Sequence, residues 1–194
     1  VMYYHGNRGE SGGPEGQPTQ RATSTDGLHW QTNGVNLGPF YFRVLRHGGW
    51  YYALAHSGRL LRSRDPAAPF EERDEVMYDG EPGRVRHWAV HAEGDTGHLF
   101  FTRWHEAPEH ILYEAIDLTR PWTQWRITNP VSLLKPEHDW EGADLPIKPS
   151  YTGPANEPLH ELHDPAVYVE GDAWYLLYSI AAERGIAIAR LERD

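Results

Sequence analysis

His163-Asp164-Pro165-Ala166-Val167-Tyr168, the turn Glu170-Gly171-Asp172, then Trp174-Tyr175-Leu176-Leu177-Tyr178-Ser179 and Gly185-Ile186-Ala187-Ile188-Ala189 spell consecutive strands joined by hairpins. The same phrase occurs earlier as Arg86-His87-Trp88-Ala89-Val90-His91, turn Glu93-Gly94-Asp95, His98-Leu99-Phe100-Phe101-Thr102, then Ile111-Leu112-Tyr113-Glu114-Ala115-Ile116. A third copy starts at Tyr41-Phe42-Arg43-Val44-Leu45, turns at His47-Gly48-Gly49 and continues Trp50-Tyr51-Tyr52-Ala53-Leu54-Ala55. Short apolar runs punctuated by Gly and Asp are strands and tight turns. A four-stranded unit returning at blade length predicts an all-β fold, a β-propeller. In a propeller the starts of the innermost strands converge on one central funnel, so the repeat register itself nominates site residues.

Working outward, the punctuation predicts blade units at residues 1–33, 40–77, 86–127 and 162–191, in one domain covering residues 1–194. The opening Val1-Met2-Tyr3-Tyr4-His5-Gly6 reads as the second strand of a blade whose first strand is missing. A ring of five blades is therefore expected, of which about three and a half lie in this chain. Residues 7–18, rich in Gly, Glu and Pro, read as a polar hairpin loop. In Ser24-Thr25-Asp26-Gly27-Leu28-His29-Trp30 the Asp-Gly pair makes a turn, with the carboxylate bonding backbone N–H groups ahead of it. Trp30 is expected to drop between neighbouring sheets, with Phe70 and Trp122 or Trp125 as its counterparts. Residues 136–158 hold five prolines and no repeat pattern. A loop of that length inside a compact domain is expected to carry function.

Composition narrows the partners. With 28 acidic against 18 basic residues the formal net charge is -10, a poor match to nucleic acid. There is no cysteine, which excludes a disulfide scaffold and a thiolate metal site. No apolar stretch approaches the roughly 20 residues of a membrane helix, so no membrane partner is expected. The compartment stays open, the cytoplasm being slightly favoured. Eight Trp and eleven Tyr suit sheet cores or a pocket that stacks sugar rings.

The Ser24–Trp30 segment, the inner-strand start His163-Asp164-Pro165-Ala166-Val167 and the closing Trp174–Ser179 strand resemble the five-bladed propellers of the arabinanase, levansucrase and invertase superfamily. Their best-known members are family-43-type glycoside hydrolases. The resemblance extends over nearly the whole chain at the level of blade pattern. It implies a carbohydrate-active protein, glycoside hydrolase-like, acting on arabinoside, xyloside or fructoside-type sugars. Alternatives are a glycan-binding propeller without turnover and a glycoside phosphorylase. It also implies three carboxylates at successive inner-strand starts. Two of those strands would precede Val1, and the third should offer a Glu near Tyr41. Tyr41-Phe42-Arg43 contains no carboxylate, so the family's acid does not transfer to this sequence.

Aligning the repeats on their turns makes Tyr41, His87 and Asp164 equivalent, with Arg86 and His163 one step earlier. Asp164 is the leading catalytic candidate, set against an Asx-type turn entering the strand. Glu141 and Asp144, in the long loop, are further acid/base candidates, set against a self-packed surface loop. Tyr41, Arg43, Arg86, His87, His163, Trp104 and Trp140 are candidates for substrate binding. For the two arginines the rival is a structural ion pair, and for the two tryptophans it is ordinary packing. Glu106 is a weaker alternative acid. His87, His91 and His163 could form a central cluster, but twelve scattered histidines dilute that signal. No cofactor is expected, and a central metal is possible but not favoured.

Overall fold

The computed structural model describes residues 1–6, 16–78, 85–151, 153 and 155–192. Most of the expected 7–18 hairpin loop, and positions 152 and 154 of the long loop, lie outside the described residues. Among the described residues fourteen strands form four antiparallel sheets, each a meander of consecutive strands. The first sheet holds β1 (Met2–His5), β2 (Thr19–Thr23) and β3 (Gln31–Thr32). The second holds β4 (Arg43–His47), β5 (Trp50–Leu54), β6 (Leu60–Ser63) and β7 (Glu71–Glu72). In the third are β8 (Val85–Glu93), β9 (Thr96–Arg103), β10 (Ile111–Asp117) and β11 (Val131–Leu134). The fourth is β12 (His163–Glu170), β13 (Ala173–Ile180) and β14 (Gly185–Leu191). Four sheets, two of three strands and two of four, are the β-propeller the repeats predict.

Apolar layers join each sheet to the next. Leu37, Phe42, Ala53 and Leu61 fill the space between the first and second sheets. Tyr52, Leu54, Trp88, Leu99 and Phe101 fill the second gap, and Ala89, Phe100, Ile111, Leu176 and Tyr178 the third. Alternation along a strand produces these layers: within β9, Leu99 and Phe101 face one neighbour while Phe100 faces the other. Trp88 is fully buried and its indole N–H donates to the Ala55 carbonyl at 2.8 Å, fastening the third sheet to the second. Burying a side chain of this size contributes roughly 2–3 kcal/mol.

The turns follow their side chains. Asp26 accepts from the N–H groups of Leu28 and His29 at 2.9 and 2.8 Å. Asp65 does the same for Ala67 and Asp117 for Thr119. Phe70 and Trp125 are buried, as the punctuation predicts. Trp30 differs. It is 41% exposed, because its indole N–H turns back to the Gly27 carbonyl at 3.1 Å and holds the ring at the mouth of the cleft between the first two sheets.

Candidate functional site

Inner strands β4, β8 and β12 lie side by side, and the start of each is irregular. Along β8, three steps from Val85 to Trp88 oppose two steps from Arg103 to Phe101 on β9. Along β12, three steps from His163 to Ala166 oppose two from Ser179 to Leu177 on β13. Both β8 and β12 therefore carry one extra residue at the start, a β-bulge that re-aims the side chains there. Asp164 sits in the second bulge with φ of 46°, and Tyr41, just ahead of β4, has φ of 68°. Left-handed backbone of this kind costs a non-glycine residue on the order of 1–3 kcal/mol and concentrates at functional sites.

The three equivalent positions meet. Tyr41 Oη donates to Asp164 Oδ1 at 3.1 Å, and His87 Nε2 lies 3.3 Å from the same oxygen. Ser179 Oγ reaches Oδ2 at 3.4 Å. The Tyr41 and His87 rings are 5.1 Å apart, and the Arg43 guanidinium sits 4.3 Å above the Tyr41 ring. Residues from the second, third and fourth sheets thus converge on one carboxylate whose side chain keeps 38% of its surface exposed. Ser179 had no signal of its own in the repeat alignment. It is the last residue but one of β13, as Thr102 is of β9, so a hydroxyl near the end of each second strand was the available clue.

Electrostatics set the charge states. Burial pushes the Asp164 carboxyl upward, but His87, His163, the Tyr41 hydroxyl and Arg86 outweigh it and hold it below its ordinary range. Burial, aided by Arg86 and opposed by Asp164, pulls the His87 imidazole down to about 3. At neutral pH the pair is a carboxylate beside a neutral imidazole. The hydrogen bonds fix the tautomer. Nε2–H faces Asp164, while Nδ1 lies 3.4 Å from both the Thr102 hydroxyl and the Asp164 backbone N–H. Burial also raises the Tyr41 hydroxyl well above its usual range, which keeps it a proton donor in its hydrogen bond.

One residue behind this rim lies a second polar layer. Arg86 donates to Glu109 Oε2 at 3.0 Å and to the Gly153 carbonyl at 2.9 Å. His163 Nε2 lies 3.0 Å from Glu161 Oε2 and 3.6 Å from Glu109 Oε2. Arg86, Glu109, Glu161 and His163 are all buried. Arg86 and His163, expected at the ligand, are instead committed to this network, because adjacent residues at a strand start project to different layers. His91 is displaced further: its ring packs edge-on against Trp174 at 4.5 Å, inside the interface of the last two sheets. Among the described residues no group of three His, Asp or Glu side chains is arranged to hold a metal ion.

The long loop organises the same end of the molecule. Val85 pairs with Arg103 and His163 with Ser179, so the β9–β10 and β13–β14 connections flank the inner-strand starts. The loop is tied to both. Ser150 N–H bonds to the Glu106 carbonyl, and the N–H groups of Ala181 and Ala182 bond to the carbonyls of Glu141 and Glu161. Those two bonds hold Ala181 and Ala182 at φ of 49° and 66°. At Gly142 (φ 94°) a Cβ would lie 2.8 Å from Leu145 and 3.1 Å from the Ala181 Cα, so only glycine fits this approach. Glu141 is 2% exposed. Its carboxylate accepts from the N–H groups of Glu137 and His138 at 2.8 and 3.1 Å and from the Tyr178 hydroxyl at 2.7 Å. It builds the loop, and nothing leaves it open to a ligand. Asp144 is exposed on the loop surface. Trp140, 55% exposed, stacks on His138 at 5.3 Å. Trp104 is half-buried, and Glu106 pairs with Arg103 and lies 3.5 Å from His110.

The four sheets and their convergent inner-strand starts make this a β-propeller, the fold shared with the solved structures named below. The chain is 36% identical over 185 residues to the uncharacterized protein R118 of Acanthamoeba polyphaga mimivirus, covering 89% of this chain and 52% of that protein. It therefore spans about half the length of the curated relative it matches. Among solved structures it resembles a thermostable family-43 glycoside hydrolase, with a TM-score of 0.68 at 14% identity, over 99% of this chain and 70% of that one. It also resembles the alpha-L-arabinanase of Cellvibrio cellulosa in complex with arabinohexaose, with a TM-score of 0.57 at 13% identity and the same two coverages. No family model matches the chain.

Proposed function

We propose that this is a carbohydrate-active propeller that holds a sugar at the rim of Tyr41, Arg43, His87, Asp164 and Ser179 and acts as a glycoside hydrolase on arabinoside, xyloside or fructoside-type substrates. One observation carries the reading: a half-exposed, ionised carboxylate is held by side chains from three sheets at the point where the inner strands begin. Such a carboxylate accepts sugar hydroxyls and stabilises the positive charge of an oxocarbenium-like transition state. The resemblance to propellers that include an arabinohexaose complex supports an oligosaccharide ligand.

Hydrolysis also needs a proton donor at the glycosidic oxygen. With Glu141 occupied by its loop, Asp144, exposed on the loop surface, is the remaining one of the two loop candidates for that role. A second reading, glycan binding without turnover, draws support from two features. Glu141 is spent, and a carboxyl held below its ordinary range, as Asp164 is, makes a weak proton carrier at neutral pH. The phosphorylase reading loses support because Arg86 is buried against Glu109 and cannot meet a phosphate.

The test is to measure turnover of aryl arabinosides, xylosides and fructosides, with binding of matching oligosaccharides by calorimetry, for the protein and its Asp164→Asn variant. Turnover lost in the variant supports the hydrolase. Binding without turnover selects the second reading, and binding of no glycan sinks both.

A further inference from the structure

The segment Thr32-Asn33-Gly34-Val35, at the end of β3, holds the one Asn-Gly pair among the five asparagines of the chain. When the side-chain carbonyl carbon of an asparagine bonds to the next backbone nitrogen, a small ring closes, so the attack is intramolecular and gains from proximity. Glycine leaves that nitrogen uncrowded. A Cβ built on Gly34 would meet no atom within 4 Å, so the segment opens on solvent. Local hydrogen bonds arrange the reacting groups. The Gly34 N–H donates to Thr32 Oγ1 at 3.2 Å, which gives the proton of the nucleophile an acceptor. The Val35 N–H donates to Asn33 Oδ1 at 3.1 Å, the oxygen on which negative charge develops as the carbon is attacked. The leaving nitrogen, Asn33 Nδ2, makes a long 3.5 Å bond to the Ala67 carbonyl.

Asn36 is a built-in comparison. It is exposed like Asn33, and the Gly38 N–H donates to its Oδ1 at 3.0 Å, so its carbonyl is polarised in the same way. Its nucleophile would be the Leu37 nitrogen. That N–H is committed to the Thr19 carbonyl at 2.8 Å, and the Leu37 side chain is fully buried between the first and second sheets. Attack there would unpair the backbone and lift a core residue. The two asparagines therefore differ in the residue that follows, not in access to water.

We infer that Asn33-Gly34 is a self-modification site, at which the fold promotes loss of the Asn33 amide. The Gly34 nitrogen bonds to Asn33 Cγ, and the bond from Cγ to Nδ2 breaks. The proton given up by the Gly34 nitrogen, passed by way of Thr32 and solvent, ends on the departing nitrogen, which leaves as ammonia. The resulting cyclic imide is opened by water at either carbonyl, leaving an aspartyl or isoaspartyl residue at position 33. Water is the one co-reactant. Conversion replaces the donor that faces the Ala67 carbonyl with a carboxylate, so the tie between the edge of the first sheet and the turn after β6 is lost.

The test is to incubate the protein in mildly alkaline buffer and follow, by mass spectrometry, the tryptic fragment 22–43, which carries both asparagines. The same incubation in urea supplies the unfolded reference. Asn33 is expected to convert and Asn36 to stay intact, at a native rate equal to or above the unfolded one. Gly34→Ala, which crowds the nucleophile, is expected to slow conversion by about tenfold. Thr32→Val, which removes the proton acceptor, is expected to slow it several-fold in the native protein and not in urea. A native rate below the unfolded rate overturns the inference, and that comparison needs no variant to fold. Conversion of Asn36 as fast as Asn33, or an unchanged native rate in either variant, overturns it as well.

Discussion

Arg86 and His87 are neighbours in the chain, as are His163 and Asp164, yet each pair is split between two regions of different character. His87 and Asp164 form a rim that keeps one carboxylate within reach of solvent, held by weak and medium hydrogen bonds from three sheets. Arg86 and His163, one residue away, lie in a closed layer with Glu109 and Glu161. The residue types are the same on both sides: carboxylate, imidazole and guanidinium. Water decides the difference. In the closed layer removal of one partner strands a buried charge, whereas at the rim the carboxylate is already partly solvated and exchanges protein donors for ligand or water.

The largest expected effect breaks the closed layer. Glu109→Gln leaves Arg86 buried without its carboxylate and is predicted to cost about 3–5 kcal/mol of stability. Urea unfolding measures it, and a loss under about 1 kcal/mol would mean that this layer is not a structural unit. By contrast, Asp164→Asn removes the rim charge while keeping a side chain tolerant of left-handed backbone. It is predicted to lower sugar affinity or turnover by about 100-fold with little change in urea midpoint, since one charged hydrogen-bond acceptor is worth about 1.5–3 kcal/mol. A folding defect that matches the functional loss would erase the contrast between the two regions.

The rim also has a pH signature. His87 is pulled down to about 3 in the folded protein from 6.5 when unfolded, so the unfolded chain binds the extra proton. Its contribution is complete above pH 6.5 and is lost as pH falls toward 3, on the order of a few kcal/mol in all. Thermal melts between pH 6.5 and 5, where most carboxylates remain ionised, are predicted to show a declining midpoint that flattens in His87→Gln. Equal slopes in the two proteins would mean that His87 titrates normally.

Loop changes are smaller. Tyr178→Phe removes one hydrogen bond to Glu141 and is predicted to cost about 1–2 kcal/mol while leaving sugar binding unchanged. Should binding fall in step, the loop belongs to the ligand site after all. Trp140→Ala, at a 55% exposed position, is predicted to shift stability by less than about 0.5 kcal/mol. A tenfold loss of glycan affinity in that variant would make the Trp140 ring a sugar platform.

Much of the architecture was legible in the residues. Short apolar runs in Val85–Glu93, Thr96–Arg103 and Ala173–Ile180 and the Gly-Asp punctuation between them mark strands and turns, because turn chemistry and the burial of a strand are set by neighbouring residues. Aligning the copies on their turns was enough to equate Tyr41, His87 and Asp164, and the three do meet. The fourth strand of the third sheet, Val131–Leu134, fell past the expected end of its unit at residue 127, since its side chains are mostly exposed and carry no apolar alternation. That Glu141, an acid/base candidate set against a self-packed loop, is committed to the loop was hidden for a related cause. The Tyr178 hydroxyl and two backbone N–H groups reach it only after the loop folds against β13.

By itself the sequence determined that this chain makes repeated antiparallel sheets with polar inner-strand starts, because strand period and turn chemistry are properties of neighbouring residues. Only the tertiary structure decided which of two adjacent polar residues is buried and which meets solvent. That choice depends on a one-residue bulge and on the groups that distant sheets present, and neither is encoded within the segment itself.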